Sequence, residues 1–537
     1  MTGAEALVAA LEAEGVEVAF GLPGVHNLPI WEALGSSPIR LVGVRHEQAA
    51  AYAADGYARA TGRPGVVLVT TGPGAANTLG AVGEVFASRS PVLVIATEVP
   101  TGLRGGGMSL HGGVDQAAMF APVTKRAVVV QPSEPLGAAA SLALRDAAAA
   151  PSRPVYLGVP TDVLGAEEPG GVVITARARD RAQRDLAPAL GLLREARRPL
   201  VWAGGGALHS GAGAAVAALA ERLGAPAFET YSARGLLAGA PTAVGLPPHV
   251  PEAGALWDAA DLVLSVGSDL DGMTTQNWRQ PKPDRHVAVN VDLLDPPRGF
   301  GADAVLALDA REGCEALLAA LGDGERREPW ADLPALCDRA WARLRAEHPD
   351  ETRFLDGFTA ALPGGAIVLA DMCIPGYWLA GLGHVAAPRR LQYPMGWGTL
   401  GFAFPASLGA ACAGAGPVVS VSGDGGFLFA CGELATAAQE RLPLTAVVVD
   451  DGGYGMLRYD QRRSGAQQAG VDLRTPDFAA LAGSFGLRAE TVDGLGDAFA
   501  TALAEHAADP EPTVLVARAA LQPPPTTSPR WYRAAAP

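Results

Sequence analysis

Short runs of β-branched and aliphatic residues alternate with Ala-rich amphipathic stretches along nearly the whole chain. This alternation selects parallel α/β layers over a sandwich or a bundle, because each parallel strand is returned to its sheet by a helical crossover. Strands are predicted at 40–44, 65–70 and 91–96, then at 200–203, 262–266 and 286–291, then at 366–370, 417–421 and 444–449. The three groups imply three consecutive doubly wound parallel-sheet domains, placed at 1–165, 185–325 and 350–520. Between them, 165–185 and 322–350 are polar or rich in Pro and Gly and read as linkers. The last stretch, 521–537, is too Pro-rich for a helix. It is either a disordered tail or an arm laid over the surface, with Trp531 and Tyr532 as its anchors.

Composition narrows the class further. At 537 residues and 49% hydrophobic, the chain can bury several cores, and its net charge of −15 argues against nucleic acid or an anionic membrane as partner. Small anionic substrates remain compatible, since a site can be locally positive. Five cysteines with no CxxC and no nearby histidine suggest neither a disulfide framework nor a zinc site. The first twenty residues carry acids where a signal peptide carries positive charge, and no apolar run reaches the ~18–20 residues of a membrane span. The expectation is a reduced, cytoplasmic, soluble protein.

The segment from Gly423 to Met456 carries the most chemistry. A predicted strand runs into Gly423-Asp424-Gly425-Gly426, a helix is expected over 427–439, and a second strand ends at Asp450-Asp451-Gly452-Gly453. Both strand ends would open on one edge of a parallel sheet, where such folds bind ligands. Glycines there let backbone N–H groups approach phosphate oxygens. Asp424 and Asp451 can jointly hold a hard divalent cation bridging to those phosphates, as Mg²⁺ favours one or two carboxylates plus phosphate oxygens. Two ordinary turns with solvated acids would use the same letters; the strand context and the 27-residue spacing favour the site.

With these motifs the sequence resembles the thiamine-diphosphate enzymes of the acetolactate synthase, pyruvate decarboxylase and benzaldehyde lyase superfamily. The resemblance implies Asp424, Asp451 and the carbonyl of Gly453 as metal ligands, with Gly423, Gly425, Gly426, Tyr454, Gly455 and Met456 around the diphosphate. One departure is plain: Asp450-Asp451 stands where the family usually has Asn-Asn, which adds negative charge beside a diphosphate. A second constellation agrees with the first. Arg45-His46-Glu47, followed by Thr71-Gly72-Pro73-Gly74-Ala75-Ala76-Asn77, matches the family's pyrimidine-binding domain, with Pro73 and Asn77 in the cofactor-binding motif. From its position alone Glu47 is a helix-start residue favoured by the dipole. The resemblance makes it the group that hydrogen-bonds the aminopyrimidine N1′ and promotes loss of the thiazolium C2 proton. Gly396-Trp397-Gly398-Thr399-Leu400-Gly401 matches the family loop in which Leu400, beside Gly398, would be the apolar wedge that bends the cofactor. The order of motifs implies pyrimidine-binding, central and diphosphate-binding domains, and a homodimer or homotetramer with active sites between subunits.

Substrate residues follow from the same resemblance. His26, in the loop Gly21–Asn27, falls on the active-site histidine of benzaldehyde lyase, with Val25 beside it. His111 falls on an active-site glutamine, and is either a second proton-shuttle or substrate-binding group or a surface residue. Met273 replaces the arginine with which acetolactate synthases hold a second carboxylate, and Asp269 replaces an arginine that contacts their FAD. An apolar acceptor pocket lined by Met273 and Trp278 is therefore expected, and FAD is argued against. The glycines of Gly204-Gly205-Gly206 invite a dinucleotide reading, but His209 stands at the third position of GxGxxG, and a triple glycine there more often serves tight strand–helix packing. The leading expectation is a thiamine-diphosphate- and Mg²⁺-dependent 2-oxo acid decarboxylase, a C–C lyase or carboligase working through a C2-carbanion/enamine, on small 2-oxo acid and carbonyl substrates. The alternatives are an acetolactate synthase catalytic subunit and, from another class, a non-catalytic cofactor-binding paralogue.

Overall fold

The computed structural model describes residues 1–168, 185–275, 277–292, 300–322 and 326–524. Among the described residues three parallel sheets follow one another, of six, five and six strands. The first runs, edge to edge, Arg40–Gly43, Val18–Gly21, Gly65–Val69, Val92–Glu98, Val155–Pro160 and Arg126–Val129. The third repeats that order with Leu391–Gln392, Ile367–Ala370, Val418–Gly423, Leu444–Asp450, Thr513–Arg518 and Arg488–Asp493. The central sheet runs Ala304–Leu306, His286–Val289, Leu262–Val266, Pro199–Ala203 and Ala227–Glu229. Every ladder is parallel, and the inner strands are buried at nearly every position, as strands covered by helices on both faces must be. This is why they read as unbroken apolar runs.

The third sheet shares its two faces with different neighbours. One face packs, through the helix Ala403–Cys412, against the first domain's helix Glu47–Thr61 in a common core that includes Tyr52, Phe402 and Phe404. The other packs on a core containing Trp202 and Trp257 of the central domain and Phe354 and Phe358 of the helix Pro349–Ala361. The Glu47–Thr61 and Ala403–Cys412 helices meet backbone to backbone. A Cβ at Gly56 would overlap the Ala406 carbonyl oxygen, and one at Gly409 would overlap that of Ala53.

The sequence reading needs correction in several places. The passage 322–350 holds the helix Leu333–Glu347, with Leu333, Leu336, Ala340 and Leu344 buried at helical spacing on the core it shares with Phe354. Its polar outer face disguised it as a linker. The helix expected over 427–439 is broken into Asp424–Leu428, a 3₁₀ turn at Cys431–Glu433 and Leu434–Glu440, with Glu433 turned to accept the N–H groups of Arg45 and His46. Strands such as Val18–Gly21, Val155–Pro160 and Thr513–Arg518 were not predicted, their apolar runs being short or interrupted by Gly and Pro. Of the first linker, 169–184 lies outside the described residues, as do 525–537 with Trp531 and Tyr532. The start of the C-terminal arm is docked: Trp378 Nε1 donates to the Gln522 carbonyl at 2.7 Å, and Gln522 N–H to Glu351 at 2.8 Å.

Close helix approach at Gly409 generates a stability prediction. Gly409→Val forces a branched side chain into backbone and should lower the apparent Tm by at least about 5 °C, the order expected for ~2 kcal/mol of overpacking. Gly102→Val, at a position open to solvent on every side, is the control expected to leave Tm unchanged in a thermal melt.

Candidate active site

Two groups of polar residues gather at the carboxyl ends of the first and third sheets, beside the strands where strand order reverses. In the third domain Gly423 caps the short helix Asp424–Leu428, which opens directly from the strand Val418–Gly423. Asp424 is 1% exposed; its Oδ1 accepts the Gly425 N–H at 2.8 Å, while its Oδ2 has no hydrogen-bond partner. Asp451 Oδ1 is likewise buried and has no hydrogen-bond partner. Its nearest cation is Arg458, 4.0 Å away. Burial, and then the nearby Asp451 and Asp450, push the Asp424 carboxyl up to about 7, and burial also raises Asp451. Two unpartnered carboxylate oxygens out of water are an unfavourable arrangement that a divalent cation would relieve.

Gly423, Asp424, Gly425, Gly426, Asp451, Gly453, Tyr454, Gly455, Met456, Gly398 and Leu400 all line one cavity of about 250 Å³. Steric room there depends on glycine: a Cβ at Gly455 would overlap Asp451 Oδ2, and one at Gly425 would lie 2.6 Å from the Tyr454 ring. Leu400 is half-buried and borders the cavity rather than the core. Its loop is held by Asp371, a residue the sequence reading missed. The fully buried Asp371 carboxylate accepts from Met372 N at 3.0 Å and Gly401 N at 3.0 Å, and burial raises it to about 6. An acid just beyond an apolar strand at the switch point was the available signal.

The first domain presents the other group. Glu47 is the first residue of its helix, capped by His46, and its Oε2 accepts from Asn77 Nδ2 at 3.0 Å. Asn77 ends the short helix that Pro73 begins, and Gly74 lies against Glu47 Oε1. His26 and His111 stand edge to face with ring centroids 5.2 Å apart. Burial, then the charge of His111, lower the pKa of His26. Val25 beside them is exposed. Glu47, His26 and His111 do not line the third-domain cavity, so a single chain holds two half-sites that do not meet.

Met273 and Trp278 lie elsewhere. Both are about half exposed, and Met273 borders a separate cavity of about 560 Å³ at the carboxyl edge of the central sheet, with Gly205, Gly267, Asp269 and Asn290. Asp269 pairs with Arg89 of the first domain at 3.1 Å, which offsets its negative charge at that crevice. The Gly204–Gly206 turn is explained by packing: a Cβ at Gly206 would lie 2.9 Å from Gly267 Cα.

This arrangement defines a class: a three-domain α/β enzyme whose outer sheets each offer half of a site suited to a diphosphate-bearing cofactor. Three family models match the chain in register with the sheets: the N-terminal thiamine pyrophosphate binding domain over residues 1–119, the central domain over 186–317 and the C-terminal binding domain over 373–517. A probable 2-ketoarginine decarboxylase of Pseudomonas aeruginosa is 38% identical over 514 residues, 90% of this chain and 88% of that one. A probable acetolactate synthase large subunit of Methanocaldococcus jannaschii is 31% identical, over 92% and 88%. Acetolactate synthase isozyme 1 large subunit of Escherichia coli is 30% identical, over 92% and 89%. The chain belongs to the thiamine pyrophosphate enzyme family, and is a thiamine-diphosphate-dependent enzyme acting on carbon–carbon bonds. The donor set fits the group: two carboxylates with unpartnered oxygens and a glycine-walled cavity are what a cation-bridged diphosphate needs.

The raised Asp424 carboxyl carries a stability consequence. Its folded pKa lies above its unfolded value of about 4, so its protonated form is favoured in the fold. Stability of the metal-free protein is therefore lost as pH rises from about 4 through about 7. Asp424→Asn should raise the apparent Tm of chelator-treated protein by about 3 °C or more at pH 8, by clearly less at pH 5, and not at all below about pH 4, as measured by differential scanning calorimetry.

Proposed function

We propose that this chain is a thiamine-diphosphate- and Mg²⁺-dependent 2-oxo acid decarboxylase, acting as a lyase or carboligase. The observation that carries the reading is the pair of buried, unpartnered carboxylate oxygens on Asp424 and Asp451 at the glycine-walled cavity. Asp424, Asp451 and the Gly453 carbonyl would hold the cation. Gly423, Gly425, Gly426, Tyr454, Gly455 and Met456 would wall the diphosphate, and Leu400 with Gly398 would bend the cofactor. Bound cofactor supplies the electron sink that takes up the pair left when CO₂ departs. Glu47, held by Asn77 and close to Pro73, would move the proton of the aminopyrimidine N1′. His26 and His111 would exchange protons with substrate oxygens, with Val25 beside them.

The half-sites imply a homodimer or homotetramer. In one chain Glu47 does not line the diphosphate cavity, and each half-site carries exposed apolar side chains: Val25, Met108 and Leu110 on the first domain, Phe429 and Leu457 on the third. A second copy placing its first domain over this chain's third would cover both patches and join the halves. Five free cysteines, and no described helix long and apolar enough to cross a membrane, support a cytoplasmic setting.

For the donor, the name of the Pseudomonas relative makes 2-ketoarginine the first 2-oxo acid to test. The acetolactate synthases among the relatives favour a second reading, in which pyruvate is both donor and acceptor. Incubation with a panel of 2-oxo acids, with and without benzaldehyde or acetaldehyde, decides by mass spectrometry: aldehydes or mixed 2-hydroxyketones support the proposal, and acetolactate from pyruvate above all cross-products rejects it.

Two variants test the residues. Glu47→Gln should leave the fold and cofactor affinity intact and slow C2–H/D exchange of the bound cofactor, read by NMR, by at least about a hundredfold; near-normal exchange sinks the assignment. Leu457→Glu should shift the assembly toward monomer in light scattering and abolish turnover, and a fully active dimer would refute the arrangement.

A further inference from the structure

The turn that presents Asn77 to Glu47 is held from behind by one buried amide, that of Gln116, a residue with no role in the sequence reading. Gln116 is 3% exposed and opens the helix Gln116–Phe120, which Asp115 caps. Its Oε1 accepts the N–H of Gly72, and its Nε2 donates to the Thr97 carbonyl at 3.0 Å. Both partners are backbone groups, an N–H that can only donate and a carbonyl that can only accept, so the orientation of the amide is fixed without reference to any hydroxyl proton. The second Nε2 proton goes to Tyr156 Oη at 3.0 Å. Buried polar groups satisfied in this way hold their neighbours in one geometry.

Gly72 converts that hold into position. Its φ of +71° is left-handed, and its carbonyl accepts the N–H of Ala76 at 2.9 Å, while Asn77 N–H donates to the Pro73 carbonyl at 2.9 Å. With Pro73 restricting φ at the first helical position, residues 72–77 form one hydrogen-bonded turn. At its far end Asn77 Nδ2 donates to Glu47 Oε2 at 3.0 Å, and Gly74 lies against Glu47 Oε1. At its near end a Cβ on Gly72 would lie 3.2 Å from that of His111. His111 has φ +63°, a left-handed backbone that a residue with a Cβ takes at a cost and keeps only where its surroundings impose it. The loop that carries His111 ends at Gln116. We propose that Gln116 is a positioning residue: it ties the 72–77 turn to the strand Val92–Glu98 and so sets where Glu47 and His111 stand. The inference deepens the proposed roles of those two residues and rests on them. Loss of the amide would leave the Gly72 N–H without its acceptor and free the turn to shift.

Hydrogen exchange tests this in cofactor-free protein, apart from any activity. By mass spectrometry of peptides spanning Gly72, its amide in the parent should exchange at least about a hundredfold more slowly than in free chain, and Gln116→Met, close in volume but without the amide, should accelerate it about tenfold or more. In the loaded protein Gln116→Met should slow C2–H/D exchange of bound thiamine diphosphate about tenfold or more, with cofactor affinity within about threefold of the parent. Combined with Glu47→Gln it should slow that exchange no further, because a residue that acts through Glu47 then has nothing left to act on. Tyr156→Phe, which removes an inner bond and leaves Gln116 on Gly72 and Thr97, should keep C2–H/D exchange within about twofold of the parent. A Gly72 amide that exchanges at the free-chain rate in the parent overturns the proposal, whether or not the methionine variant folds. So does near-normal C2–H/D exchange in Gln116→Met, an additive loss in the double variant, or an equal loss in Tyr156→Phe. Failure of the wider functional reading shows separately, in unimpaired C2–H/D exchange of Glu47→Gln.

Discussion

Contact between the backbones of the helices Glu47–Thr61 and Ala403–Cys412 is the constraint on which both half-sites depend. One helix begins with Glu47, and the other follows the loop that carries Leu400. Gly56 and Gly409 permit the approach, because any Cβ there would strike a carbonyl oxygen of the facing helix. Beside the contact sits a buried ion triad: Arg59 pairs with Asp55 at 2.7 Å and Glu84 at 3.3 Å, and stands 4.9 Å above the Phe402 ring. Glu84 also accepts the N–H of Trp397 at 2.8 Å, which ties the first domain to the loop 396–401. Such a triad adds little net stability, since desolvation offsets the attraction. Breaking it would leave a buried charge at a cost of roughly 3–5 kcal/mol. Its effect is thus to fix one docking geometry for the loop that ends in Leu400.

The two outer sheets share one strand order but prepare their edges in opposite ways. At the first sheet, Thr71, Thr97, Gln116, Tyr156 and Glu98 satisfy one another, and the histidines are held before anything binds. At the third, Asp424 and Asp451 keep unpartnered oxygens, at a cost to the fold that the proposed cation would relieve. The first half-site is preorganised by its own hydrogen bonds; the second couples occupancy to stability. Asp371 bridges the two strategies, since its carboxylate is saturated by backbone N–H groups yet borders the same cavity.

How much of this the sequence revealed depended on contiguity. Gly423-Asp424 and Asp450-Asp451 were readable because each ligand sits directly at the end of an apolar run, so strand prediction alone placed them on one edge. For Glu47 only the helix start was readable, and a role for it came from the family resemblance alone. The Leu333–Glu347 helix was lost because its buried face is only four small or aliphatic residues wide and its outer face is charged. The network behind His26 was unreadable for a different reason. Its members are separated by 45, 26 and 40 positions in the chain, and Thr, Gln and Tyr at those positions are individually unremarkable in composition. Met273 and Trp278 were assigned from one aligned loop, and that loop turns out to border the central cavity rather than either half-site.

The Asp450-Asp451 pair sharpens the electrostatic question of the site, because both acids lie beside a carboxylate that is already costly to ionise. They are not equivalent. Asp450 accepts the Gly452 N–H at 3.2 Å and faces Thr475 at 3.5 Å, so it organises the turn that presents Gly453. Asp451 points into the cavity, and the cation nearest it is Arg458, which donates to its backbone carbonyl at 3.1 Å while pairing with Asp472 at 2.9 Å. Arg458 is therefore shared, and offsets only part of the added charge. With three acids at the cavity, and Arg458 and Arg462 as the cations that favour an ionised Asp451, the attraction of the proposed divalent cation would go largely to the protein's own carboxylates. The backbone donors of the 423–426 and 452–455 turns do not offset that charge, since the N–H groups of Gly425, Gly452, Tyr454 and Gly455 are already engaged by Asp424, Asp450, the Val471 carbonyl and the Gly453 carbonyl. What glycine does in these turns is keep space, because a Cβ at Gly425, Gly453 or Gly455 would collide with the Tyr454 ring, the Val471 carbonyl oxygen or the Asp451 carboxylate.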